Sequence, residues 1–216
     1  MTTFIRKPRI CAVCGSFAQY AVTASTNRFG SPDLDLRPPE MERSTMMAWV
    51  QECPVCGYAA PNVSMPTGVA KEWLQSEPYQ NCEGIPFGSG LAKSFYRSYM
   101  INRQDGRGTD AFYALLHAAW CSDDNDEQEN AERCRRLALE YIGDLIASGQ
   151  DGEERDTFLV VKADLMRRAG LFEELRQEYG EVRFDSDLLN RIIAFQLRKS
   201  EARDRGCYTV EDTGND

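Results

Sequence analysis

Two cysteine pairs carry the clearest chemistry in this chain: Cys11-Ala-Val-Cys14-Gly15 and Cys53-Pro-Val-Cys56-Gly57. A two-residue gap lets both sulfurs of a pair turn toward one ion. The glycine after each second cysteine suits a tight knuckle, where φ is positive and backbone amides approach sulfur. Together the pairs supply four thiolates, a full tetrahedral shell for Zn²⁺. Such a shell leaves no open coordination position, so one structural zinc ion is expected at Cys11, Cys14, Cys53 and Cys56. A rubredoxin-like iron site uses the same ligands and stays open as an alternative. A thioredoxin-type redox pair would want one CxxC in a βαβ setting, which this sequence lacks. Separate disulfides do not suit a reducing compartment.

The other reactive side chains form no comparable pattern. His117 is the only histidine. With Cys121 it makes an i, i+4 pair on a helix, but no further ligands are evident nearby, and a histidine packed among aromatics is the simpler reading. Cys82 falls in a glycine-rich loop, Cys121 and Cys134 fall on helix faces as small core residues, and Cys207 lies in the tail. A single histidine limits Ser-His or Cys-His catalysis. There is no phosphate loop, no GxSxG and no HExxH. GIPFGSG (85–90 and its preceding glycine) lacks the lysine and the strand of a nucleotide loop, and reads as a hinge. An enzyme is therefore not the expected outcome.

The elements that must hold the cysteines follow from the flanks. FAQYAVTAS (17–25) and MMAWVQE (46–52) are strand-like. Thirty-eight residues lie between Cys14 and Cys53, enough for a strand out, a long loop and a strand back. The expectation is an antiparallel zinc ribbon with loop 26–45 projecting from it. That loop sets Arg28, Asp33, Asp35, Arg37, Glu40, Glu42 and Arg43 around three prolines. Proline stiffening lowers the entropy lost on binding. Arg28, Asp33, Asp35, Arg37 and Glu40 are thus candidates for contact with a protein or peptide partner, unless the charges pair internally.

The fold class expected is α+β, mostly α. Residues 1–64 make the ribbon and 65–108 a connecting stretch with a short helix stopped before Pro78, the glycine-rich loop, and a helix in LAKSFYRSYMINRQ. Residues 109–205 make a tetratricopeptide-like helical region, and 206–216 a disordered tail. In TDAFYALLHAAWC, Phe112, Leu115, Leu116, Ala119 and Trp120 form one apolar stripe; Cys134, Leu137, Ala138, Tyr141, Ile142 and Leu145 repeat it. Further helices are expected in DTFLVVKADLMRRAG, LFEELRQEYG and DSDLLNRIIAFQLRKSEA. Ala163, Gly170, Phe172 and Tyr179 match part of the tetratricopeptide pattern, although Leu175 stands where alanine is usual.

CAVCG, the SPDLDLRPPE insert, WVQECPVCGYAA and ADLMRRAGLFEEL together resemble a bacterial family of double-CxxC proteins that join an N-terminal zinc ribbon to tetratricopeptide-like helices. The resemblance covers the chain to about residue 200. It implies zinc ligation by Cys11, Cys14, Cys53 and Cys56, and brings no activity with it.

Charge and hydropathy narrow the class of role. The net charge of −9 sits in residues 81–216, which opposes bulk binding to a phosphate backbone. Only Arg6, Lys7 and Arg9 form a small basic run. No apolar run reaches membrane-span length, and MTTFIRKPRI lacks the apolar core of a secretion signal, so a cytoplasmic location is expected. The leading expectation is a non-enzymatic protein–protein adaptor with a structural zinc. The alternatives are a nucleic-acid-associated factor, which needs Arg6, Lys7, Arg9 and Arg28 on one face, and a thiol-based redox sensor.

Overall fold

Each CxxCG motif is the turn of its own short hairpin. Strand β1 (Thr3–Ile10) pairs antiparallel with β2 (Phe17–Ser25), placing Ile10 opposite Phe17 and Phe4 opposite Thr23. Both strands are rich in β-branched and aromatic residues that suit a pleated surface. The knuckle between them closes through Cys11 N–H to Ser16 C=O and Gly15 N–H to Cys11 C=O, both 2.9 Å. Short strands β3 (Arg28–Phe29) and β4 (Glu40–Met41) bracket the inter-knuckle loop. Strand β5 (Gln51–Glu52) pairs with β6 (Ala59–Ala60) around the second knuckle. There Cys53 N–H meets Tyr58 C=O at 2.8 Å and Gly57 N–H meets Cys53 C=O at 2.9 Å.

This corrects the expected ribbon. Residues 17–25 are a strand, but their partner is the segment before the first knuckle, not 46–52. Residues Arg43–Ala48 form a 3₁₀ helix, and only Gln51–Glu52 of the second segment is extended. The reason is local. A knuckle reverses the chain within six residues, so the nearest partner for a strand leaving it is the strand that entered it.

The computed structural model describes residues 1–150 and 152–214 and is α+β and mostly helical. It divides into two compact units, one of residues 1–28 and 40–134, the other of 29–39 and 135–216. These limits differ from the sequence boundaries at 64, 108 and 205, because helices beyond the ribbon share a unit with the knuckles.

In the first unit, α1 (Glu77–Gln80) carries Pro78 in its first turn. Proline is tolerated there because that N–H has no helical acceptor, so Pro78 opens a helix where it was expected to stop one. Helices α2 (Gly90–Gln104) and α3 (Gly108–Asp123) fold back on each other across the turn at 105–107. The Ser89 side chain caps α2 by accepting from Ala92 N–H at 3.2 Å. Phe95, Tyr99 and Met100 of α2, and Phe112, Leu115, Leu116, Ala119 and Trp120 of α3, are buried, as the stripe in the sequence required.

Helix α4 (Gln128–Ser148) buries Cys134, Ala138, Ile142 and Leu145. In the second unit, α5 (Arg155–Arg168), α6 (Phe172–Tyr179) and α7 (Asp187–Glu201) enclose Val160, Ala163, Met166, Leu175, Tyr179, Ile192 and Phe195. Leu34, from the inter-knuckle loop, joins the same core. The expected disordered tail is instead built in as far as Gly214. Leu34 N–H donates to Tyr208 C=O and Val210 N–H to Pro32 C=O, both at 2.9 Å, and Glu211–Gly214 form a 3₁₀ turn. The tail lacks periodicity because backbone pairing with a distant loop holds it, not an amphipathic face. Residues 215 and 216 lie outside the described residues.

Candidate metal centre

The two knuckles bring four sulfurs together from positions up to 45 residues apart. Cys11 Sγ lies 3.7 Å from Cys56 Sγ, and Cys14 Sγ lies 3.6 Å from Cys53 Sγ. All four ligand atoms fall within 4.8 Å of one another. Four sulfurs at about 2.3 Å from a central ion would sit about 3.8 Å apart along each tetrahedral edge. A disulfide would need about 2.05 Å, and all eight cysteines are free thiols. The spacing is that of a metal cage.

The two halves are built alike. The backbone amides of Val13 and Cys14 lower the proton affinity of Cys11, and those of Val55 and Cys56 that of Cys53. The amide of the residue two further on, Ser16 or Tyr58, does the same for Cys14 and Cys56. Gly15 and Gly57 turn the chain at φ +70° and +75°, where a side chain would be strained. Amides aimed at sulfur favour thiolate, which is the form a metal needs.

Proton affinities show why a cation belongs there. Burial pushes the Cys11 and Cys56 thiols up. Ser16, whose Oγ lies 3.1 Å from both Cys14 Sγ and Cys53 Sγ, holds Cys14 down to about 6. Burial works against ionising Cys53, but the Ser16 hydroxyl and the amides of Cys56 and Val55 outweigh it and lower its value. Four clustered thiolates, three of them buried, repel one another, and a divalent ion at their centre removes that cost and deprotonates the remaining thiols. Burial, then the charge of the surrounding sulfurs, raises the Tyr20 phenol to about 12.

A second layer braces the second knuckle. Glu52, next to Cys53, accepts from Arg97 Nη1 and from Ser94 Oγ at 2.7 Å. Arg97 also donates to the Gln80 carbonyl and side-chain oxygens at 3.1 Å and stacks over the Tyr79 ring. Tyr79 O–H donates to Gly57 C=O, and Tyr20 O–H to Glu52 C=O. None of Ser16, Tyr20, Glu52, Tyr79 and Arg97 stood out in the sequence. Ser16 had a local signal, since it directly follows the first knuckle glycine; Tyr79 and Arg97 arrive from helices far along the chain.

The five loop residues do not form one surface. Asp33, Asp35 and Arg37 are buried. Asp35 Oδ2 pairs with Arg168 Nη1 at 2.8 Å, and Asp33 accepts from Cys207 Sγ at 3.4 Å. Arg28 is exposed and pairs with Glu42, and exposed Glu40 accepts from Ser44 Oγ at 2.6 Å. The loop therefore does not project. Its middle is part of the second unit's core. His117 is ringed by Trp49, Phe95 and Trp120 at centroid distances of 5.0–5.1 Å, and it belongs to no metal-ligand group among the described residues.

Comparison with protein-family models, with curated proteins and with solved structures gives no match. What identifies the chain is thus the site itself: four clustered cysteines able to hold a metal ion, followed by a helical C-terminal region.

Proposed function

We propose that this chain is a zinc-stabilised, non-enzymatic interaction module, and that its β1–β2 arm engages an acidic protein partner. The observation that carries the proposal is the arm's exposed surface. The register puts Phe4, Arg6, Pro8 and Ile10 on one face with Phe17, Gln19 and Ala21 across the strand. Ile10 is 61% and Phe17 65% exposed. Residues 1–27 hold Arg6, Lys7 and Arg9 and no acidic residue, in a chain of net charge −9. Arg6 lies on the same face as Phe4 and Ile10, and Lys7 and Arg9 on the opposite one, so the arm as a whole, rather than one face of it, is a cationic element with exposed apolar side chains on an anionic protein, which suits an acidic partner. Zinc fits the sulfur cage and, with every coordination position filled by protein, supplies rigidity rather than catalysis. A two-stranded arm is marginal by itself, so the metal at its turn is what keeps it formed. The helices α5 to α7, with a turn at Gly170, are taken as tetratricopeptide-like support.

The nucleic-acid reading is weaker. It needs Arg6, Lys7, Arg9 and Arg28 on one face, but Arg6 and Lys7 alternate across the strand and Arg28 is paired with Glu42. The test is capture from a lysate of the source organism by the wild type and by an Ile10→Ser, Phe17→Ser double variant, with zinc content measured on both. Retention of one acidic protein by the wild type alone, at equal zinc content, supports the reading. Equal retention by both removes it. Salt-sensitive binding of an oligothymidine, lost on Arg6→Glu, favours the nucleic-acid alternative.

A further inference from the structure

We infer that a cavity between α2 and α3, away from the cysteines, is a binding site for a small uncharged carbonyl group such as a carboxamide. The cavity has a volume of about 90 Å³. Trp49 and Phe95 form its apolar wall, and Ser98, Asn102, Tyr113 and His117 bring polar groups to it. Ser98 and Asn102 stand one turn apart on α2. Tyr113 and His117 stand one turn apart on α3. Two helical stripes thus face one space.

Three of these side chains keep hydrogen-bonding capacity that no described residue uses. Ser98 is 4% exposed and Asn102 5%. Asn102 Oδ1 accepts from Arg107 Nε at 3.0 Å, which leaves its Nδ2 as the free donor. The Ser98 hydroxyl and the His117 ring nitrogens make no hydrogen bond to another described residue, and none of these atoms is sealed from solvent-sized space. Buried polar groups find partners, and here the cavity is where the partner goes. Asn102 can only donate from Nδ2, and Ser98 can donate beside it, so the complementary atom is an acceptor oxygen.

Charge selects the ligand further. Burial holds His117 down to about 4, so its ring is neutral and offers no counter-charge to an anion. Exposed Asp110 lies at the same cavity and repels a carboxylate. An ammonium group would be drawn to Asp110, but it carries no lone pair and so leaves the Asn102 Nδ2 donor unpaired. An uncharged carbonyl satisfies all three. An apolar cavity of roughly 150 Å³ admits benzene, so a cavity of this size takes a group of roughly four non-hydrogen atoms.

The experiment uses the metal-loaded full chain and three probes of similar size: acetamide, acetate and ethylammonium. The His117 imidazole and Trp49 indole resonances are followed by NMR during titration. Acetamide is expected to give a saturable shift, weakened about tenfold by Ser98→Ala or Asn102→Leu and abolished by Ala114→Leu, which fills the cavity. Acetate and ethylammonium are expected to give none. A response that never saturates, that survives Ala114→Leu, or that acetate reproduces would overturn the inference and leave the cavity as a hydrated gap. Zinc content and amide exchange of α2 and α3 report folding; should Asn102→Leu not fold, Ser98→Ala and Ala114→Leu carry the test.

Discussion

Asp35 Oδ2 and Arg168 Nη1 lie 2.8 Å apart across 133 positions of sequence, pinning the inter-knuckle loop to the end of α5. Asp35 is fully buried and the Arg168 side chain nearly so. Removing one partner leaves the other buried without its opposite charge, which costs roughly 3–5 kcal/mol. Asp35→Ala and Arg168→Ala should each destabilise the second unit by about that amount in urea unfolding. An Asp35→Leu, Arg168→Met double variant should lose clearly less than the sum, because neither charge is then left alone. Additive losses would show that the pair is not coupled.

Metal removal should be felt beyond the knuckles. Residues 29–39 lie between Cys14 and Cys53, so a metal that joins the two knuckles closes a loop around them. Releasing the ion lengthens the free tether, and each doubling of loop length costs only about 0.6 kcal/mol. Chelation should therefore raise exchange at the Leu34 and Val210 amides, bonded to Tyr208 and Pro32, by a few fold only. At the Cys11 and Cys53 amides, which close the knuckles, protection should be lost outright. Equal loss at all four would mean that the metal holds the whole chain together.

Much of the site was legible in the sequence because its logic is local. A CxxCG spacing aims two sulfurs at one point whatever follows it, and two such knuckles close a cage. The stripe from Phe112 to Trp120 was legible for the same reason, since helical period and burial are set within a few turns. Pairings across long separations were not legible. The SPDLDLRPP stretch looks like an exposed charged loop because charge is usually solvated; Arg168, more than a hundred residues on, supplies the counter-charge that helps make burying Asp35 tolerable. The 206–214 tail lacks periodicity for a related cause, as its order comes from backbone bonds to Pro32 and Leu34 that side-chain patterns do not record. Residues 46–48 read as strand by type, yet the first knuckle had already given β2 its partner.

His117 gives the protein an acid-sensitive term that can be separated from metal loss. Burial depresses its folded value to about 4, below about 6.5 in the unfolded chain. The unfolded state therefore takes up the proton first as pH falls. Stability from this group is intact above pH 6.5 and is lost as pH drops through 4, by on the order of 3 kcal/mol at most. His117→Gln should flatten the stability–pH curve between those limits. Thiol protonation and metal release act in the same direction, so the comparison belongs between wild type and variant at matched zinc content. Parallel curves would show that His117 is as free to protonate as in the unfolded chain.

The brace on the second knuckle should set how long the metal stays. Arg97 holds Glu52 beside Cys53, and the same guanidinium packs on Tyr79, whose hydroxyl bonds the Gly57 carbonyl. Two fixed points on either side of Cys53 and Cys56 thus depend on one side chain. Loss of an outer partner around a metal site typically costs about 10–100-fold in affinity. Arg97→Ala should therefore speed transfer of zinc to a chromogenic chelator by about that factor, while leaving the stoichiometry unchanged. Arg97→Lys keeps charge but cannot reach Glu52 and Gln80 in the same fork geometry, so it should fall between. Phe112→Leu, a core change on the neighbouring helix, serves as the control: a release rate raised as much by it as by Arg97→Ala would assign the effect to general loosening of the unit rather than to the brace.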